Sequence, residues 1–188
     1  KFKKAKGYSF CYSCSGNGYT RKITKNVARI ASDYINKNKI EPLKLGNIES
    51  KRDWSDAEDF MDGVWRMLNQ EEYWINVWRK TPDDYVLSSN EMHTIREFVE
   101  EAFNCAGFHR SMCRWEGIQE EAKYYHGDDL LVEVDPKFYR PAEVGSLWGD
   151  SSRAKDELGW KPKFSFPALV KKMVDVDLKL AGLPKCAE

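Results

Sequence analysis

Apolar residues recur at intervals of three and four along several stretches of this chain. That period commits much of it to amphipathic helices that must bury one face. Over 20–37, Ile23, Val27, Ile30, Ala31 and Tyr34 share a face, and basic residues occupy the other. A second helix is expected from Ser55. There Ser55 and Glu58 have capping-box spacing, and Met61, Val64, Trp65 and Leu68 follow on one face. Thr94 and Glu97 form another such box, ahead of Ile95, Phe98, Val99, Ala102 and Phe103, with Gly107 as the stop. Ser151–Leu158 reads as a short helix closed by Gly159. Phe166, Leu169, Val170, Met173, Val174 and Leu178 mark a last helix, with Ser165 as its cap. Short strands are expected at Leu43–Leu45, turning at Gly46-Asn47, at Tyr85-Val86-Leu87, and at Leu130–Val134 before Pro136. Residues 71–80 either extend the second helix or form an insertion, and residues 1–16 show no period. Helices alternating with a few short strands define an α/β chain, mostly helical.

The 188 residues suit one domain, or a lobe of a larger one. No apolar run approaches the ~20 residues that span a bilayer, so no membrane role is expected. Lys1–Lys6 has no apolar stretch behind it, which reads as no secretory signal. The odd cysteine count, five, argues for reduced thiols and a cytoplasmic protein. Thirty basic residues balance thirty acidic ones, but unevenly. Residues 1–40 hold ten Lys/Arg and a single acid, Asp33, which suits an anionic partner.

Several chemistries lack their residues. Cys11-Tyr12-Ser13-Cys14 has no second pair to complete a tetrahedral zinc site, and His93, His109 and His126 form no ligand set, so no metal is expected. Gly16-Asn17-Gly18 lacks the third glycine and the preceding strand of a dinucleotide fingerprint. No Tyr is followed four residues later by Lys, and no Ser/His/Asp set is suggested, so no catalytic residue is assigned. The positive candidates are cations at element ends. Thr20-Arg21-Lys22 opens the first helix, where free N–H groups favour a phosphate. Lys51-Arg52-Asp53-Trp54 precedes the second. Tyr139-Arg140-Pro141-Ala142-Glu143 places a guanidinium and a carboxylate three apart on a Pro-stiffened loop. Arg can grip a diphosphate in bidentate fashion, and a carboxylate can accept both ribose hydroxyls. An ordinary surface salt bridge is the alternative at each position.

Three segments together resemble the C-terminal half of the GDP-mannose 4,6-dehydratases, a branch of the extended short-chain dehydrogenase/reductases. Asn17-Gly18-Tyr19-Thr20-Arg21-Lys22-Ile23 is similar to the family's N-F-V-T-R-K-I. Leu45-Gly46-Asn47-Ile48-Glu49-Ser50-Lys51-Arg52-Asp53-Trp54 is similar to L-G-N-L-D-A-K-R-D-W. The third is Tyr139–Val144 with Leu158-Gly159-Trp160-Lys161-Pro162, and His93–Glu100 resembles H-S-V-R-E-F-V-E. The likeness runs from about Asn17 to Leu180. Ser55-Asp56 stands where the family usually has Gly-His, and 72–80 look inserted.

The resemblance implies a GDP-sugar-binding lobe over 17–182, with 1–16 unassigned and 183–188 a tail. It implies that Thr20 and Lys22 contact the GDP-sugar, that Leu45 and Asn47 flank the nucleotide, that Arg52 and Arg140 bind the diphosphate, and that Glu143 holds the ribose. The family reaction uses bound NADP to oxidise mannose C4, eliminates water across C5–C6 and returns the hydride to C6. The product is GDP-4-keto-6-deoxymannose, a precursor of GDP-fucose and GDP-rhamnose. The Rossmann half that binds NADP lies upstream in the family, so this chain alone is expected not to turn over GDP-mannose. The full-length form is expected to be a homo-oligomer. Another nucleotide-sugar epimerase or dehydratase, or a catalytically dead nucleotide-sugar-binding remnant, stays open. Nucleic-acid binding by the basic end is disfavoured, because Lys22 and Arg29 fall at spacings of a solvated helix face.

Overall fold

A computed structural model describes residues 19–69, 84–139 and 146–186. The first helical stretch is α1, Tyr19–Ile35, with Ile23, Val27, Ile30 and Ala31 all buried. Tyr34 lies at the rim and meets Phe108 and His126 edge-on. The chain then passes through strand β1, Leu43–Leu45, and β2, Lys51–Arg52, into α2, Ala57–Leu68. Strand β3, His93–Thr94, leads directly into α3, Ile95–Cys105. Strands β4, Cys113–Glu116, β5, Lys123–His126, and β6, Asp129–Val134, follow as an antiparallel run. Strand β7, Ser146–Leu147, precedes α4, Ser152–Leu158, and α5, Phe166–Leu180.

Two sheets result. The larger has the order β1-β6-β5-β4, with β1 parallel to β6, and the smaller has the order β3-β2-β7. Helices α1, α3 and α5 pack on one another, and the apolar cluster they share takes in Leu43, Leu45, Tyr124, Leu131 and Val132 from the larger sheet. Phe98, Val99, Ala102 and Phe103 are fully buried at its centre, as the period of α3 requires. The Thr94–Glu97 box forms in full, with Glu97 N–H donating to Thr94 Oγ1 at 3.0 Å and Thr94 N–H to Glu97 Oε2 at 3.2 Å. Gly107 takes φ +92°, which ends the helix.

A second, smaller cluster gathers Tyr85, Ala154 and Trp160, with Phe60, Met67, Leu87 and Leu158 against it. Gly159 closes α4 in the left-handed region, at φ +61°, and so delivers Trp160 to the interior. The Leu158-Gly159-Trp160 signature is therefore a packing device. Trp160 Nε1–H donates to the Asp59 carbonyl at 2.8 Å. The buried Asp59 carboxylate accepts from the N–H groups of Lys163, at 2.9 Å, and Phe164, at 3.2 Å.

Three sequence expectations change. Helix α2 is capped by Asp56, whose carboxylate accepts from Glu58 N–H at 2.8 Å, and not by Ser55. Ser55 Oγ is instead buried, with no hydrogen-bond partner among the described residues. Met61, Trp65 and Leu68 lie on the outward face of α2, each more than half exposed, while Asp59, Gly63, Phe60 and Met67 face Trp160. A Cβ at Gly63 would meet Leu87 Cδ1 at 2.5 Å, so Leu87 would have to shift to admit one. Tyr85-Val86-Leu87 is not a strand: Tyr85 and Leu87 are spent on the Trp160 cluster, and Tyr85 Oη donates to Glu157 at 2.7 Å. Ser165 does sit at the start of α5, but it caps with no side-chain bond. The expectations for 1–16, including Cys11 and Cys14, and for 71–80 lie outside the described residues. No described helix is long and apolar enough to cross a membrane.

Candidate functional site

Two lengths of chain run side by side through the edge of the molecule. Residues 43–45 pair in parallel with 132–134, and residues 51–52 pair in parallel with 146–147. Between these ladders the first length spends five residues and the second eleven. The second length begins with the turn Pro136–Phe138. That turn lies tight against Gly46, where a Cβ would meet the Phe138 carbonyl oxygen at 2.2 Å. Gly46 thus permits a close approach of two backbones that no other residue would.

Lys22 stands over the Phe138 ring, 4.4 Å from its centroid, with Nζ donating to the Lys44 carbonyl at 2.6 Å. Burial lowers its pKa from the ordinary lysine value, and the nearby Asp135 carboxylate offsets part of that. A shallow hollow of about 590 Å³ opens beside it, with Arg29, Lys44 and Glu133 on its walls. Thr20 is buried in the first turn of α1. Arg21, grouped with them by sequence, points elsewhere. It forms an ion pair with the buried Asp177 of α5 at 2.7 Å, and so is used in holding α1 to α5.

At the other end of the passage, Arg52 lies in the middle strand of the smaller sheet, opposite His93 on one side and Leu147 on the other. Its Nη1 donates to the Lys51 carbonyl at 2.7 Å. The His93 ring stacks on Phe166 with centroids 3.8 Å apart, and Nδ1 lies 2.9 Å from Glu97 Oε2. Asn47 is half-buried and accepts from Glu49 N–H at 3.0 Å, tightening the turn between β1 and β2. Leu45 has its side chain in the core, and its carbonyl accepts from Asp135 N–H at 2.9 Å, so its side chain is not offered to a ligand. Arg140 and Glu143 lie outside the described residues. The chain on either side of them is described: Tyr139 adjoins the turn under Lys22, and Ser146 pairs with Lys51.

Sequence reasoning missed the side chains that pin this edge. Asp53 Oδ1 accepts from Ser89 N–H at 2.9 Å and Ser89 Oγ at 2.6 Å, and its Oδ2 accepts from Asn90 N–H at 3.1 Å. Asn90 in turn bonds Ser151. The cluster Ser88-Ser89-Asn90 was the available signal, since such residues favour turns that bond their own backbone. No group of three His, Cys, Asp or Glu among the described residues could hold a metal. Burial holds the thiols of Cys105, Cys113 and Cys186 above their ordinary pKa, so they stay protonated and are not activated as nucleophiles.

Solved structures share this fold. It matches RMD from Pseudomonas aeruginosa, solved with NADPH, at a TM-score of 0.58 and 19% identity, over 84% of this chain and 43% of that one. It matches a UDP-glucose 4-epimerase of Thermotoga maritima, solved with UDP-glucose, at a TM-score of 0.57 and 17% identity, over 89% and 41%.

The family profile described as GDP-mannose 4,6 dehydratase matches residues 10–173, starting upstream of Asn17, and the chain belongs to that family. It is 39% identical to the GDP-mannose 4,6 dehydratase of Cricetulus griseus over 87% of this chain and 40% of that protein. It is likewise 39% identical to GDP-mannose 4,6 dehydratase 1 of Arabidopsis thaliana, over 93% and 43%. The chain thus spans about two fifths of the length of these curated relatives.

Proposed function

We propose that this chain is the GDP-sugar-binding part of a GDP-mannose 4,6-dehydratase. Lys22 and Arg52, together with Arg140 and Glu143, hold one guanosine diphosphate. One observation carries the reading. Lys22 stands over Phe138 and Arg52 pairs with Leu147, so both cations lie against the described chain that flanks residues 140–145, the stretch that carries Arg140 and Glu143 in sequence. Two cations together with a further guanidinium and a carboxylate suit a diphosphate joined to a ribose. On this reading Thr20 contacts the GDP-sugar, and Leu45 and Asn47 flank the nucleotide, as the family resemblance implies.

The dehydration draws its hydride chemistry from NADP. The described residues do not fit that cofactor, since none of their strands leads through a glycine-rich turn into a helix, the cradle a dinucleotide takes. The reading therefore places NADP on a Rossmann half beyond this lobe and gives the lobe the task of binding the GDP-sugar.

Titration of the intact protein with GDP, UDP and dTDP tests the assignment. GDP is expected to bind tightest, with GDP-mannose consumed to a 4-keto-6-deoxy sugar. Arg52→Ala and Arg140→Ala should each weaken GDP binding by roughly 2 kcal/mol, as for other charge-assisted contacts. Tighter binding of UDP or dTDP would instead make it a different nucleotide-sugar enzyme.

A further inference from the structure

Two neighbours at the start of α1 are put to different uses. Successive helix residues are turned by about 100°, so Arg21 and Lys22 cannot face the same partner. Arg21 Nη1 reaches across to α5 and pairs with Asp177 Oδ1 at 2.7 Å. Lys22 lies over the Phe138 ring and donates to the Lys44 carbonyl.

The Arg21–Asp177 pair is an expensive way to join two helices. The Asp177 side chain is 3% exposed and that of Arg21 17%. A buried pair of this kind is often no more stabilising than apolar contact of the same volume, because both charges leave water. Apolar contact is already present: Ile23 and Val27 of α1 share a buried cluster with Val170, Val174 and Leu178 of α5. Asp177 Oδ2 adds to the cost, since it is buried with no hydrogen-bond partner among the described residues. What a charged hydrogen bond supplies and an apolar face does not is direction. It acts in the first turn of α1, one residue before Lys22.

The Lys22 ammonium has three protons to donate. One goes to the Lys44 carbonyl, and among the described residues no acceptor takes the other two. The charged groups around it are Asp135, Glu133, Lys44 and Arg29. Both acids are engaged with another cation: Lys44 Nζ lies 3.4 Å from Glu133 Oε1 and 3.8 Å from Asp135 Oδ2. Lys22 therefore has donors to spare for an anion, provided its stem is held in place.

We propose that Asp177 is a positioning residue for Lys22: by holding Arg21 against α5 it sets the rotation of the first turn of α1 and aims the Lys22 ammonium for its contact with the GDP-sugar. Asp177 itself need not touch the ligand. The proposal rests on the GDP-sugar reading above and adds to it a residue on α5 that acts through α1.

Two variants of the intact protein test it. Asp177→Asn keeps the shape and removes the charge. The paired change Arg21→Met with Asp177→Leu replaces the ion pair by apolar contact, which holds the helices together without direction. GDP affinity, its pH profile and the melting temperature are read in each, and again in a Lys22→Gln background.

Asp177→Asn is expected to weaken GDP about fivefold, the order of coupling between neighbouring side chains. The Met/Leu pair should weaken it equally while its melting temperature is held or raised. In both, the loss of affinity at high pH should move to higher pH, because a Lys22 freed toward solvent is no longer lowered by burial. KM for GDP-mannose should rise with kcat near wild type. In the Lys22→Gln background neither change should weaken GDP further. Wild-type affinity in the Met/Leu pair would make Arg21–Asp177 a structural tie only and overturn the proposal. An equal further loss in the Lys22→Gln background would also overturn it, since Asp177 would not then act through Lys22. Both results leave the GDP-sugar reading intact. Unchanged GDP affinity in Lys22→Gln, while Arg52→Ala weakens it, removes Lys22 from the site and the proposal with it. A wild-type protein that binds no GDP removes the reading itself.

Discussion

Phe98 and Arg52 lie in parts of the molecule held together by different means. Phe98 sits where α1, α3 and α5 meet the larger sheet, and apolar burial does the holding: every residue of the α3 stripe is 6% exposed or less. Arg52 sits in the middle of a sheet of two-residue strands, where the Asp53 carboxylate and the Asn90 amide do the holding. The first arrangement tolerates few changes of volume but is indifferent to the identity of distant residues. The second has little packing to lose and depends on single polar atoms. A site for a charged ligand belongs in the second kind of region. There polar groups are already aimed, and a buried apolar wall would only add a cost of desolvation.

The contrast can be broken most forcefully at the apolar end. Phe98→Ala should cost about 3–5 kcal/mol of folding stability, and Trp160→Ala a similar amount in the smaller cluster, as buried aromatic truncations do. Denaturant unfolding measures both. A loss below 1 kcal/mol at Phe98 would mean the core is not where the stability lies. Next comes Asp59→Ala, which strands the N–H groups of Lys163 and Phe164. It should cost about 2–3 kcal/mol, the scale of bonds to a charged acceptor. Its loss should be local, appearing as faster amide exchange over 159–164 with α3 unaffected.

A subtler effect is expected with pH. Burial lowers the pKa of Lys22, so its ammonium discharges before an ordinary lysine would. If it contacts the GDP-sugar, affinity is full below the lowered pKa and falls as pH rises through it, at a lower pH than a solvent-exposed lysine would give. Lys22→Gln should flatten that decline. The smallest effect belongs to the outward face of α2: Trp65→Ser, at a position 65% exposed, should change stability by no more than about 0.5 kcal/mol.

The difference between the regions also explains what could be read from the sequence. Helix α3 was legible from Thr94 to Gly107, because its cap, its apolar period and its stop all act within a few residues of one another. The same local logic failed at Ser55. The S-x-x-E spacing fits a capping box, but Asp56 carries the stronger acceptor and also draws in Lys172, at 3.0 Å from α5. That second contact is 116 residues away in sequence and invisible to a local pattern. The hairpin of β4 and β5 was missed because each strand is four residues long and mixes charge with aromatics, so no alternation stands out. The outward face of α2 misled because amphipathicity shows a face and not its direction; Trp160, nearly a hundred residues on, decides which side is inside. Of the candidate site, the cations were legible as types at element ends. Arg21 and Arg52 nevertheless look alike in sequence, and only the fold pairs the first with Asp177. The Asp53–Asn90–Ser151 connection depends on three separate loops and left no trace beyond a run of turn-forming residues.

A double-mutant cycle on Arg52 and Arg140, read as GDP affinity by calorimetry in the intact protein, probes the whole account most directly. If both guanidiniums grip one diphosphate, each Ala variant weakens GDP by about tenfold or more, and the double variant loses clearly less, or more, than the product of the two. An unchanged affinity in either single variant would show that the two segments do not share a ligand.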